Sequence, residues 1–227
     1  MIGHMLEGRT DVYDRAARNP AAVRPSDHRP SLADRRRDAL RLDIAREAVR
    51  LFAAQGVTPT TGEEIAQSVG ISARTLWRHF PNKESCIRPL LTAGLEVAID
   101  HLHHWPRETG LVDYLTATCR QGNFAPPDAA VLHLIRMTRT EPALRAVWLQ
   151  AHDDALPVFT ELLARRAGKP SDDLRVKVHA ATINGALRAA AEDFALHCTD
   201  DDADTSQSTL AASLHVALEA AAGGLPY

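Results

Sequence analysis

Long hydrophobic runs and cysteines are scarce in this chain of 227 residues. No apolar stretch reaches the about 18 residues that a membrane-spanning helix needs, and the Arg-rich N-terminus lacks the apolar segment of a signal peptide. The three cysteines, Cys86, Cys119 and Cys198, are far apart and odd in number, which argues against both a disulfide framework and a zinc site. These absences predict a cytoplasmic protein.

Catalytic signatures are also missing. There is no His-x-x-Glu-His or Gly-x-Ser-x-Gly sequence, no glycine-rich phosphate loop and no conspicuous pair of spaced carboxylates. In the segment HLHHW, His101, His103 and His104 are spaced so that a helix would scatter them around its axis, which disfavours a metal site. A helical enzyme that uses this His-rich segment is the alternative we weigh, but we predict no enzyme, no catalytic residue, no cofactor and no metal ligand.

Segments that alternate apolar and polar residues, as strands do, are missing as well, whereas helical periodicity runs through nearly everything after about residue 32. The pattern therefore predicts an all-α fold. Helices are predicted at 32–55, 72–80, 83–105, 109–121, 127–139, 141–167, 171–198 and 205–222, and the segment PTTGEEIAQSVG opens a further short helix after the first.

The charge is divided unevenly between the two parts of the chain. Residues 1–92 carry a net charge of +4 and residues 93–227 a net charge of −7, which is the asymmetry expected if the first part meets a polyanion. The alternative is chance scatter in an Arg-rich chain. We expect three regions, a flexible Arg- and Pro-rich extension at 1–33, a small helical domain at 34–82 and a larger helical domain at 83–227.

Residues 56–80 have the signals of two short helices joined by a tight turn. Thr60 with Glu63, or Thr61 with Glu64, has the spacing of a capping box at the start of the first helix. Gly70 can take the left-handed conformation that ends that helix. Ser72 is the expected cap of the next helix, with Ile71 before it as a hydrophobic staple. This order predicts a helix-turn-helix, whose second helix enters the major groove of DNA.

The same stretch resembles the DNA-binding region of tetracycline-repressor (TetR) family regulators. The residues that carry the resemblance are Thr60, Thr61, Ile65, Ala66, Gly70, Ile71, Ser72, Thr75, Leu76, Trp77, His79, Phe80, Lys83 and Glu84. The resemblance covers roughly residues 35–90, and Trp77 departs from it where the family more often has Tyr. It implies an all-helical homodimer in which residues 34–82 form a helix-turn-helix DNA-binding domain. Residues 83–227 would form a variable ligand-binding and dimerisation domain.

The resemblance also implies which side chains meet DNA. Those that would hold phosphates are Thr61, Trp77, His79 and Lys83. Those that would lie nearest the base edges are Ser72, Ala73, Arg74 and Thr75. Hydroxyl, indole, imidazole and ammonium groups can all donate to phosphate oxygens, and Arg74 could make a bidentate contact with guanine. Packing is the alternative for Trp77 and His79, and a phosphate contact is the alternative for Arg74; we expect Thr60 to cap or pack.

Three arginines, Arg35, Arg36 and Arg37, stand just ahead of the first amphipathic stripe. A flexible basic arm at this position could enter the minor groove beside the recognition site. A solvated tail is the alternative, because Asp27, Asp34 and the neighbouring acidic residues dilute the positive charge.

The C-terminal part holds the features expected of dimerisation and ligand binding. The helix at 171–198 is apolar on two faces and therefore buried on two faces; together with the helix at 205–222 it suits the four-helix dimer interface that the family uses. Pro157 should kink the helix at 141–167, either making room for a pocket or as a structural adjustment alone. The polar residues expected to line a mostly apolar pocket are His133, Arg136, Trp148, His152, Phe159, His179 and Asn184, although each alone could be a core or rim residue.

Together these expectations predict a homodimeric transcriptional regulator. We expect a repressor that binds pseudo-palindromic double-stranded operator DNA and is released from it by a small, largely apolar ligand. Constitutive DNA binding without a ligand, or activation in place of repression, stays open at this point. The expected location is the bacterial cytoplasm, on the nucleoid when DNA is bound.

Overall fold

The computed structural model describes residues 31–121, 129–198 and 203–224, with the backbone alone for 203–208. Over these residues the chain forms nine α-helices, one 3-10 helix and no strand. The α-helices are α1 (Leu32–Gln55), α2 (Gly62–Ser68), α3 (Ala73–His79), α4 (Arg88–His104), α5 (Leu111–Arg120), α6 (Ala129–Met137), α7 (Pro142–Ala167), α8 (Leu174–His197) and α9 (Ala203–Gly223). The predicted all-α fold is confirmed. Residues 1–30 of the predicted N-terminal extension at 1–33 and the start of the helix at 127–139 lie outside the described residues, whereas Ser31 caps α1 and residues 32 and 33 belong to it.

One predicted helix is divided in two. The expected continuous helix at 83–105 is instead a 3-10 helix (Glu84–Ile87) followed by α4. Pro89 has no N–H to donate to the carbonyl of Ser85, and its ring would clash there, so an α-helix cannot run through this point. Asn82, the predicted cap, accepts a hydrogen bond from Ser85 N at 2.8 Å, but the helix that follows is the 3-10 helix.

The N-terminal helices share one core. Ile44, Ala48 and Phe52 on α1 pack with Ile65 of α2 and Leu76 of α3, and all five are almost completely buried. The 3-10 helix and α4 then pack against α1, so that the first three helices are joined directly to the rest of the molecule.

The remaining helices form a second layer of packing. α8 packs between α7 and α9, α5 packs on α9, and α4 packs on α7. α6 contacts both α1 and α8. Within the described residues, no helix is both long enough and apolar enough to cross a membrane.

Candidate nucleic-acid interface and ligand cavity

Local signals build the turn between α2 and α3. Thr61 and Glu64 form a reciprocal capping box, which resolves the two predicted alternatives in favour of this pair. Gly70 adopts a φ of +71°, the left-handed conformation that glycine allows without strain. Ser72 caps α3 by accepting a hydrogen bond from Thr75 N at 3.2 Å. The turn therefore fixes the direction in which α3 leaves α2.

α3 presents a positively charged face. Arg74 and Arg78 are both exposed and stand one helical turn apart, so they lie on the same side of α3. Among the described residues neither guanidinium has a hydrogen bond or an ion pair. Ser72 and Thr75 pair their hydroxyl groups at 2.9 Å beside them. This face offers unpaired, strong donors to an anionic partner.

Trp77 lies across the start of α2. A Cβ atom added at Gly62 would fall 2.0 Å from Trp77 Cζ2, so the indole ring rests directly on the glycine. The ring is nevertheless 40% exposed. Trp77 therefore packs α3 against α2, which is the alternative weighed for it, and the exposed part of the ring stays available for the predicted phosphate contact.

His79 lies among three arginines. Burial, followed by the positive charges of Arg78, Arg41 and Arg37, lowers the pKa of His79 from its ordinary value of 6.5. Arg37 and Arg41 belong to α1, and Arg41 lies over the Phe80 ring, with its guanidinium carbon 5.4 Å from the centroid. α1 thus adds positive charge to the α3 surface.

Arg41 was missed as a candidate contact and Arg37 was considered only as part of a flexible arm, although their spacing of four residues on the first helix places them on one face. The arginines that were considered as a flexible arm, Arg35, Arg36 and Arg37, instead lie inside α1. Ser31 caps α1 just ahead of them, and Arg37 bonds Asp34. The arm hypothesis is therefore wrong for these three residues, because the helix begins before them.

Two predicted phosphate contacts have other partners. Lys83 Nζ donates to the carbonyls of Val57, Thr58 and Thr60 at 2.7, 3.0 and 2.7 Å, which uses all three hydrogens of the ammonium group. We do not retain Lys83 as a phosphate ligand, because its donors stabilise the loop before α2. The Thr61 hydroxyl donates to Glu64 Oε2 at 2.9 Å, so it would have to exchange that bond for a phosphate.

An apolar cavity of about 350 Å³ lies among the helices of the C-terminal part and reaches α1. Its α1 wall is Leu42 and Arg46, and its α4 wall includes Leu91 and Gly94. The other lining residues are Leu90, Ala93, Leu95, Val97, Ala98, Cys119, Val131, Ile135, Trp148, His152, Leu187, Ala190, Ala191, Leu210 and Leu214. The cavity is therefore mostly aliphatic and is bounded partly by the first helix of the N-terminal unit.

Two of the seven predicted ligand residues, Trp148 and His152, line this cavity. Their rings meet edge to face with centroids 4.3 Å apart. Asn184 does not line it but bonds His152 from a groove between α7 and α8. On α7 the cavity wall is formed by Trp148 and His152. Both residues precede Pro157, the position at which the predicted kink would have made room for a pocket.

The other four predicted ligand residues are not at the cavity. Phe159 is fully buried in the core, and His133 and His179 are exposed on the outside of their helices. Arg136 donates to the carbonyls of Ala195 and Cys198 at the end of α8, at 2.5 Å each. The structure does not bring these four residues to the cavity. Helical periodicity shows which side of a helix is apolar but not which neighbour covers it.

Comparison with known proteins decides the family. The family model described as "Bacterial regulatory proteins, tetR family" matches residues 44–89, and the one described as "MftR C-terminal domain" matches residues 109–226, about half of the chain. The chain belongs to the TetR family. It is accordingly a transcriptional regulator and not an enzyme. The match over residues 44–89 covers the helix-turn-helix described above.

Two TetR-family relatives match along most of the chain. The HTH-type transcriptional regulator TcmR of Streptomyces glaucescens is 27% identical over 215 residues, covering 91% of this chain and 93% of that protein. The putative mycofactocin biosynthesis transcriptional regulator MftR of Mycobacterium tuberculosis is 27% identical over 188 residues, covering 82% and 93%. Among solved structures, Salmonella enterica GusR has a TM-score of 0.45 at 20% identity and covers 80% of this chain and 96% of that one.

Proposed function

We propose that this TetR-family regulator is a homodimeric repressor that leaves pseudo-palindromic operator DNA when a small, largely apolar ligand enters the cavity. The observation that carries the proposal is the wall shared by the two regions: Leu42 and Arg46 of α1 line the cavity, while Arg37 and Arg41 of the same helix stand beside the α3 surface. In this proposal residues 34–82 bind DNA, and residues 83–227 bind the ligand and form the dimer.

The DNA surface is α3 with its neighbours. Arg74 is the side chain we assign to base reading, since its guanidinium is exposed and can bond guanine O6 and N7 together. Ser72, Ala73 and Thr75 lie with it at the N-terminal end of the helix. The residues assigned to phosphates are Trp77, Arg78, His79, Arg37 and Arg41, with Thr61 at the edge of this surface.

The dimer surface is the outer face of α8 and α9. α8 has an exposed stripe of apolar and small residues that is separate from its buried face. The stripe consists of the exposed residues Leu174, Val178, Ala181 and Ala189, with the half-buried Gly185 between them. α9 continues the feature with Ala212, Val216 and Ala220, which stand four residues apart and are exposed. Apolar stripes left uncovered in one chain are accounted for by a second copy that covers them.

Ligand control requires a difference in affinity between two states. A ligand that enlarges the cavity would press on α4 and α1 together, because both helices form its wall. For the ligand to lower operator affinity about 100-fold, it must bind the released state about 2.7 kcal/mol more tightly than the DNA-bound state. The contact between α1 and the cavity gives this coupling a short path.

Selection of binding sites from random double-stranded DNA tests the proposal. The expected result is enrichment of an inverted repeat, since a two-fold symmetric dimer reads two equivalent half-sites. Enrichment of single half-sites alone, or no enrichment, would contradict the homodimer or the DNA-binding assignment, respectively. A reporter gene placed downstream of the selected site then gives the sign of regulation. Loss of the protein should raise transcription of the reporter, whereas a fall in transcription would show activation.

A further inference from the structure

His152 has a polar atom that the folded chain leaves unsatisfied. Its side chain is 4% exposed, and Nε2 has no hydrogen-bond partner. Buried polar groups in folded proteins are nearly always paired, so an orphan on a ring that lines an apolar cavity calls for an explanation. Trp148, which shares that stretch of wall, has its own N–H committed to Glu192 Oε1 at 2.9 Å.

The contacts of Asn184 determine which nitrogen of His152 carries the proton. Asn184 Nδ2 donates to the carbonyl oxygen of His152 at 2.9 Å, which fixes the orientation of the amide. Asn184 Oδ1 therefore faces His152 Nδ1 at 2.7 Å, and an amide oxygen can only accept, so Nδ1 is the protonated nitrogen. In a neutral ring Nε2 is then a bare acceptor. Burial, the largest cause, lowers the pKa of His152 and favours that neutral form.

The cavity offers few other polar groups to a ligand. Among its described lining residues Arg46 is charged, but its side chain is half exposed and lies 3.7 Å from Asp43, so it stands at the solvent side. Burial raises the pKa of the Cys119 thiol and keeps it neutral. Next to His152 the lining is apolar, and Asn184 lies outside it. The two arginines whose charge acts on His152, Arg145 and Arg188, do not line the cavity and lie 2.5 and 4.0 Å from the Glu192 carboxylate, so a neutral ligand suits this wall better than an anion.

We propose that the cavity takes a neutral, mainly apolar molecule with one hydroxyl group, and that this hydroxyl donates to His152 Nε2. The inference rests on the proposed ligand control and adds the chemical class of the ligand. His152 contributes to the wall of this cavity as well as to the groove between α7 and α8, and Nε2 is the ring atom that the folded chain leaves without a partner for the ligand. Binding then satisfies an acceptor that is unpaired in the empty protein, and this favours the hydroxyl over an otherwise equal ether.

Calorimetric titration with three matched probes tests the proposal: 4-phenylphenol, 4-methoxybiphenyl and biphenyl-4-carboxylate. The phenol should bind about tenfold more tightly than the ether, the ratio that about 1.4 kcal/mol gives. In His152→Phe the phenol and the ether should bind equally. Because the comparison is a ratio within one protein, a general loss of affinity in the variant does not affect it.

Nitrogen NMR of histidine-labelled wild-type protein gives a readout that needs no variant. Free protein should show an Nδ1-protonated ring with an unprotonated Nε2, and 4-phenylphenol should shift the Nε2 signal as it becomes hydrogen-bonded. Equal binding of phenol and ether to the wild type, strongest binding by the carboxylate, or an unmoved Nε2 signal would each overturn the inference.

Gly94→Phe separates this inference from the proposal on which it rests. A Cβ at Gly94 meets nothing within 4 Å, so a phenyl ring there has room to fill the cavity. If this variant loses both neutral probes while the wild type binds them equally, the cavity is the ligand site and the role of His152 is wrong. If no probe binds the wild type, or Gly94→Phe changes nothing, the cavity assignment itself fails and the inference falls with it.

Discussion

At the scale of single residues, the contact between Gly62 and Trp77 connects packing with DNA binding. In Gly62→Ala the new methyl group would occupy the place of the indole, which must swing out because it is an exposed ring and the α2 backbone is not free to move. We expect DNA affinity to fall several-fold while the free energy of unfolding changes by less than about 1 kcal/mol. Anisotropy titration and thermal denaturation measure the two effects.

A double-mutant cycle provides the control for this contact. In a Trp77→Ala background the added methyl group meets no ring, so Gly62→Ala should then leave DNA affinity unchanged. If Gly62→Ala weakens binding equally in both backgrounds, the effect does not pass through Trp77, and the interpretation of this contact is wrong.

His79 should make DNA binding depend on pH. Its pKa is lowered in the free protein by burial and three arginines, whereas an adjacent phosphate would favour the imidazolium and raise the pKa in the complex. The complex therefore takes up a proton, and affinity should increase as pH falls from about 8 toward 6. Below the free-protein pKa both states are protonated and the increase should level off.

His79→Gln is the matched control for the pH effect, because glutamine keeps a donor but does not titrate. Titrations at constant ionic strength should show the pH-dependent gain in wild type and a nearly flat profile in the variant. An equal gain in both proteins would assign the proton uptake to another group and remove His79 from the phosphate contacts.

At the scale of secondary-structure elements, substitutions of Lys83 and Arg78 should have different effects. Loss of Lys83 should lower stability, and loss of Arg78 should weaken DNA binding. Lys83→Met removes three hydrogen bonds to the loop at 57–60 and should lower the free energy of unfolding by about 1–3 kcal/mol. Arg78→Met should leave stability nearly unchanged but reduce the slope of log affinity against log salt by about 0.9, since one phosphate contact is lost. Denaturant unfolding and salt-dependent titration measure these quantities.

The opposite result would support the sequence-based prediction that Lys83 contacts a DNA phosphate. If Lys83→Met reduces the salt slope as Arg78→Met is expected to, without loss of stability, the ammonium group meets a phosphate after all. Methionine retains the apolar stem of both side chains, so the two variants differ from the wild type mainly in charge and hydrogen bonding.

The elements that the sequence predicted well depend on signals a few residues apart. The left-handed Gly70 and the Ser72 cap involve neighbours within one helical turn and were predicted from spacing, and the Thr61–Glu64 box is one of the two pairs that the spacing allowed. The partners of Lys83 and Arg136 were not predicted, because their carbonyls lie about 23–26 and 59–62 residues away along the chain. Long basic side chains take such distant partners, which periodicity does not reveal.

The cavity illustrates the same limit. Trp148 and His152 were expected to line it because they lie one turn apart beside an apolar stripe. The contributions of Leu42 and Arg46 were not expected, since their helix was assigned wholly to the DNA-binding region. Only the packing of α1 against α4 and α6 brings those side chains to the cavity.

At the scale of the whole molecule, the exposed stripe of α8 predicts a dimer that charge would disrupt. Val178→Asp places a carboxylate in the middle of the stripe, where a second copy would bury it, and burial of an unpaired charge is costly. We expect this variant to be monomeric and to lose most of its operator affinity, with its helix content unchanged. Light scattering and circular dichroism check the two statements.

Val158→Asp is the matched control, because Val158 is similarly exposed but lies on α7. It should remain dimeric and bind the operator normally. If both variants dimerise, the interface is not on this face of α8; if only Val158→Asp dissociates, α7 forms the interface in place of α8.

The most direct test of the central claim is an anisotropy titration of wild type, Arg74→Ala and Arg139→Ala against the selected operator and a scrambled duplex. Arg139 is an exposed arginine that follows α6 and is not part of the surface assigned to DNA, so its loss should change neither titration. Arg74→Ala should lose about 1–3 kcal/mol on the operator and far less on the scrambled duplex, which lowers the specificity ratio. Equal losses on both duplexes, or none, would contradict the assignment of α3 as the helix that reads the DNA sequence.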